Sequence, residues 1–89
     1  GSSIFRTAVI ISEKYEAISA EIMSTLERGV TVLSGTGAYT GTERPVLYCV
    51  ITRGEVNQLK EVVKEIDPKA FMVIGVTHEA MGEGFRQLK

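Results

Sequence analysis

The chain has 89 residues, 44% hydrophobic and 24% charged, enough for one compact domain with a modest core. Ten Lys and Arg against eleven Asp and Glu give a net charge of −1, which excludes the broad cationic field of a domain that grips nucleic acid through phosphates but leaves room for a local anion site. One cysteine, Cys49, and one histidine, His78, exclude a disulfide framework and argue against a Cys/His metal site, and no apolar run approaches the roughly 20 residues that span a bilayer.

Gly1-Ser2-Ser3 reads as a cloning remnant and not as a secretory signal, so the domain is taken as residues 4–89. Residues 5–12 are rich in β-branched side chains and predict a strand, ending at Ser12, a residue able to cap the next element. From 13 to 28 the period changes: Tyr15, Ile18, Ile22 and Leu26 recur at helical spacing, and Gly29 stands at the expected stop. Residues 30–34 and 45–52 predict the second and third strands, with a glycine-rich segment between them. Thr52-Arg53-Gly54-Glu55 is a capping box opening a helix with Val56, Leu59, Val62, Val63 and Ile66 on its apolar face, and Asp67-Pro68 ends it. Residues 70–77 predict a fourth strand, and the tail 78–89 carries Gly82-Glu83-Gly84-Phe85.

The order β-α-β-β-α-β predicts an α+β, ferredoxin-like fold: a four-stranded antiparallel sheet with both helices on one face. The two strands this topology makes central are apolar at consecutive positions, from Ala8 to Ile11 and from Val46 to Ile51. Both faces of the sheet centre should therefore be apolar, and a homo-oligomer is the simplest cover for the face the helices leave open.

The segment Ser34-Gly35-Thr36-Gly37-Ala38-Tyr39-Thr40-Gly41 is neither a Walker loop, which needs a Lys-Ser or Lys-Thr pair, nor a dinucleotide fingerprint, since it leads into a strand and not a helix. It fits a backbone nest for an anion, with the Thr36 and Thr40 hydroxyls assisting and Tyr39 stacking on the ligand. It equally fits a long hairpin loop whose glycines serve turn geometry. Arg53 opens the second helix, Arg28 ends the first and Arg44 stands at the far side of the loop, each able to meet a phosphate or to remain a solvated cation, and Lys69 reads as an edge-strand charge. Gly82, Glu83, Gly84 and Phe85 read either as an anchor for the tail or as a clamp over the glycine segment of the same or a neighbouring subunit. The candidate ligand-binding set is thus 35–41, Arg28, Arg53 and 82–85. His78 has no identifiable nucleophile beside it, Cys49 reads as a small buried hydrophobe, and neither catalysis, cofactor nor metal is expected.

Arg28-Gly29-Val30-Thr31, the run from Gly35 to Gly41, Asp67-Pro68-Lys69-Ala70-Phe71 and Gly82-Glu83-Gly84-Phe85, in that order, resemble the C-terminal domain of YitT-type bacterial membrane proteins, from about Val9 to Phe85. That resemblance implies a bacterial cytoplasmic module attached to a multi-span membrane region outside this sequence; the charge balance already argues against nucleic acid as a partner. A more distant similarity, to PII-like signalling proteins, rests on Gly35 and Gly37 at the end of the second strand. It implies a trimer that binds nucleotides in clefts between subunits. The chain departs from that pattern in its shorter loop before Pro45 and in its C-terminal basic phosphate contacts, for which the region around Gly82 to Phe85 offers only Arg86 as a positive charge. The expectation is a regulatory module that binds a nucleotide or other anionic metabolite as a homo-oligomer; the alternative is a pure assembly module with no ligand.

Overall fold

The computed structural model describes residues 4–82, so Glu83, Gly84 and Phe85 of the expected clamp lie outside the described residues. Strand β1 is Phe5–Ile11, helix α1 Tyr15–Glu21, strand β2 Thr31–Leu33, strand β3 Val46–Thr52, helix α2 Val56–Ile66 and strand β4 Phe71–Thr77. The sheet runs β2-β3-β1-β4 and every pairing is antiparallel, which is the ferredoxin-like arrangement expected from the element order.

Burial alternates along the central strands because successive side chains point to opposite faces. Ala8 and Ile10 of β1, and Leu47, Cys49 and Ile51 of β3, are buried beneath the helices, where they meet Ile18, Ile22, Leu26, Leu59 and Val63. Register puts Met72 opposite Ile10 and Ile74 opposite Ala8, so those residues of β4 join the same side. Cys49 is the small buried hydrophobe expected, and burial, helped by the charge of Glu55, pushes its thiol up to about 11.

Two local expectations fail. The helix predicted over 13–28 is α-helical only to Glu21 and continues as a wider π turn, Ile22–Leu26, which brings Leu26 to the core. The chain then reverses at Glu27, whose φ of 58° and ψ of 38° are left-handed, so the turn expected of Gly29 is made two residues earlier. Ser12 does not cap as the residue before the helix; its hydroxyl accepts the Lys14 N–H at 2.9 Å and donates to Asp67 Oδ2 at 2.6 Å, joining the start of α1 to the end of α2.

The capping box forms as expected, led in by a 3₁₀ turn, Arg53–Glu55, and Glu55 Oε1 accepts the Thr52 N–H at 2.9 Å. The same carboxylate accepts Arg28 Nε at 3.0 Å and Nη2 at 3.3 Å. Burial alone would raise the Glu55 carboxyl, but the Thr52 N–H and the Arg28 guanidinium outweigh it and hold it below the usual carboxylate range.

On the face away from the helices nothing covers the sheet within the described chain. Register places Leu33, Val46, Ile11 and Phe71 in one row across it, and Thr31, Tyr48, Val9 and Val73 in the next. Phe71 is 60% exposed, Val73 47%, Leu33 46% and Tyr48 42%, values far too high for a finished core. The outer edge of β4 is also unpaired among the described residues, and none of its seven residues carries a charge to guard it.

Candidate functional site

The glycine-rich segment is a two-stranded arm. Beyond β2 and β3 the register that pairs Thr31 with Tyr48 and Leu33 with Val46 continues through a bridge between Thr36 and Glu43. The Arg44 N–H donates to Gly35 O at 2.7 Å, the Gly37 N–H to Thr42 O at 2.8 Å, and the Gly41 N–H to Gly37 O at 2.7 Å, closing the tip. The Gly41 φ of 74° lies in the region that favours glycine.

The other two glycines are required by close approach. A Cβ on Gly35 would sit 2.6 Å from the Arg44 carbonyl oxygen, and one on Gly37 would sit 2.8 Å from Thr40 Oγ1 and 3.3 Å from Arg44 Nε. Gly35 therefore makes room for the Arg44 backbone, and Gly37 for the Thr40 hydroxyl first and the Arg44 side chain second.

This geometry corrects the anion-nest expectation at particular atoms. The N–H groups of Gly37 and Gly41 are spent inside the arm, and the Thr40 hydroxyl is engaged with Thr42 Oγ1 at 2.7 Å and the Thr42 N–H at 3.2 Å. Thr36, Ala38 and Tyr39 are exposed, Tyr39 fully, at or near the tip. Arg28 is not a free cation: it is buried and paired with Glu55, so its charge is already matched.

The structure also divides the expected site. Ile11, Val46 and Phe71 mark one end of the sheet, from which the arm projects; Phe5, Thr52 and Thr77 mark the other. Arg53, Arg28 and the segment leading to Gly82 belong to that second end, separated from the arm by the length of β1, about 20 Å at ~3.4 Å per residue. Residues 35–41 and the two arginines do not converge within one chain.

What converges at the arm's base is a different set. A cavity of about 480 Å³ is lined by Ser12 and Lys14 from the β1–α1 turn, Arg44 from the arm, and Asp67 and Lys69 from the α2–β4 turn, with Ile11, Glu13 and Pro68 completing it. A smaller one of about 210 Å³ adjoins it along Thr42, Glu43 and Arg44. Asp67 is held below the usual carboxylate range by the Ser12 hydroxyl first and by the Lys69 N–H, 2.9 Å away. Lys14 Nζ reaches across to donate to Ile66 O at 3.3 Å. These residues escape a reading by motif because they lie on three separate turns. The signal was topological: β1 and α2 of a βαββαβ fold both end beside the β3 entry. A third cavity, about 280 Å³ between the helices, is acidic through Glu21, Glu61 and Glu65, but no group of three or more His, Cys, Asp or Glu able to hold a metal exists among the described residues.

A split βαββαβ sheet carrying a β2–β3 arm defines a small ferredoxin-like domain. Within that class, the chain belongs to the family described as "Uncharacterized protein conserved in bacteria (DUF2179)", which matches residues 28–82. It is 44% identical over 85 residues to the UPF0750 membrane protein YpjC of Bacillus subtilis, covering 96% of this chain and 29% of that protein. It is 38% identical over 76 residues to the UPF0750 membrane protein YitT of the same organism, covering 85% of this chain and 27% of that protein. The resemblance to the YitT type thus holds, and the chain spans under a third of the length of these relatives. Among solved structures, a DUF2179 protein from Eubacterium ventriosum superposes with a TM-score of 0.71 at 32% identity, covering 80% of this chain and 97% of that one. The divalent ion tolerance protein CutA1 from Ehrlichia chaffeensis superposes with a TM-score of 0.69 at 11% identity, covering 99% and 94%, a likeness of fold alone. No helix among the described residues is long and apolar enough to cross a membrane.

Proposed function

We propose that the chain is the cytoplasmic regulatory module of a bacterial membrane protein, that it works as a homo-oligomer, and that it responds to a small anionic ligand. The observation that carries self-association is the open sheet face, where Leu33, Tyr48, Phe71 and Val73 stand exposed beside half-buried Val9, Ile11, Val46 and Val50. Apolar surface of that continuity is unfavourable in water and marks an interface. A second copy is the occupant that suits it, because the face is apolar and nearly uncharged and so is complementary to itself.

Area sets how the copies must meet. At strand spacings of ~4.8 Å and same-face spacings of ~6.8 Å, the fourteen positions of this face offer roughly 450 Å² of flat area. A stable interface buries about 800 Å² per partner, so surface beside the face must contribute, and the edge of β4, unpaired among the described residues, adjoins it. Light scattering at micromolar concentration tests the reading: an oligomer supports it, and a monomer overturns it. The alternative, assembly with no ligand, shares the first result and is separated from it by titration with nucleotides.

A further inference from the structure

We propose that the cavity at the base of the arm binds an organic phosphate of mononucleotide size, with Arg44, Lys14 and Lys69 as its charge partners. This deepens the ligand part of the proposed function and does not depend on self-association.

Three observations support it. First, three cations from three separate turns line one cavity against two carboxylates, Glu13 and Asp67. Asp67 is already engaged by the Ser12 hydroxyl and the Lys69 N–H, and this holds the α2–β4 turn in shape. Second, the Arg44 guanidinium meets no carboxylate among the described residues, in contrast to Arg28. A planar fork of donors at a cavity wall suits the paired oxygens of a phosphate. Gly35 holds the space in which the Arg44 backbone lies, with Gly37 in looser contact with its side chain, so the glycine run serves the cavity indirectly, by admitting the arginine. Third, about 480 Å³ is more than a bare phosphate needs and falls within the range of small-molecule sites, and Ile11 and Pro68 supply apolar wall for a non-ionic portion.

The experiment is titration calorimetry of the intact chain with AMP, ATP, inorganic pyrophosphate and sulfate at low ionic strength, repeated for Arg44→Ala, Lys69→Ala and Arg53→Ala. These residues are exposed, so the variants are expected to fold, which circular dichroism checks. The expected result is saturable binding of AMP or ATP, weakened about tenfold or more by Arg44→Ala and by Lys69→Ala, the loss of one charge-assisted hydrogen bond each, and unchanged by Arg53→Ala at the far end of the sheet. Three results overturn the proposal: no heat from either nucleotide at millimolar concentration, equal weakening by Arg53→Ala, or sulfate or pyrophosphate binding as tightly as the nucleotides, which marks an adventitious ion only. An oligomer that fails this titration leaves self-association standing and removes the ligand site alone.

Discussion

Glu55→Ala is the most exacting test of how the two helices are joined. It removes the carboxylate paired with the Arg28 guanidinium, which is only 7% exposed, and deletes the bond from the Thr52 N–H. Breaking a buried ion pair from one side costs about 3–5 kcal/mol, and the 23% exposure of Glu55 lets water soften this toward the lower figure. The lost cap adds about 1 kcal/mol. The sum is about 4 kcal/mol, and at ~4–8 °C per kcal/mol for a domain of this size the melting temperature should fall by roughly 15–30 °C. Differential scanning calorimetry reads this directly. Arg28→Met combined with Glu55→Leu should recover much of the loss, because both charges of the pair are then removed together. A Glu55→Ala protein melting within about 2 °C of the parent would refute the reasoning, and would return Arg28 to the set of cations available to a ligand.

The same geometry sets other expectations. Glu55 is held below its ordinary value in the folded state, so its contribution is present above the unfolded carboxyl pKa of ~4.3 and is lost as pH falls through the lower folded value. Melting temperatures measured from neutral to acid pH should drop in that window, and less so for Glu55→Gln; an equal drop in both would contradict it. Gly35→Ala drives a Cβ into the Arg44 carbonyl and should cost about 1–3 kcal/mol, read by denaturant melts, with unchanged stability refuting the close approach. Tyr39→Ala, at a fully exposed tip, should stay within about 0.5 kcal/mol of the parent and leave assembly intact. Cys49, with its thiol raised to about 11, should resist thiol reagents at neutral pH until the protein unfolds, and rapid labelling of the folded chain would contradict its burial.

The fold was legible because several independent signals agreed. A β-branched run over 5–12, period 3.6 over Val56–Ile66 and a Thr52–Glu55 capping box each point to one element, and together they allow few topologies. The open apolar face was legible too, since residues apolar at consecutive positions in a central strand must serve both faces. The site was legible only in part. The glycine run stands out by its density, yet Gly35 is tight against the Arg44 carbonyl and Gly37 against the Thr40 hydroxyl, contacts that depend on hairpin register and not on composition. Arg28 looked like a ligand cation because its partner lies 27 residues away at the start of the other helix. The π turn at Ile22–Leu26 left no mark, as the apolar spacing of three and four is shared with an α-helix.

Self-association through the open sheet face is tested most directly by sedimentation velocity on the parent chain and on Tyr48→Lys with Val73→Lys, two exposed positions flanking Val9 in one row of that face. Met23→Lys, on the exposed side of the π turn, serves as the control. The parent and the control should sediment as an oligomer, and the double variant as a folded monomer. A monomeric parent at micromolar concentration, or a double variant that assembles as the parent does, would contradict self-association through this face.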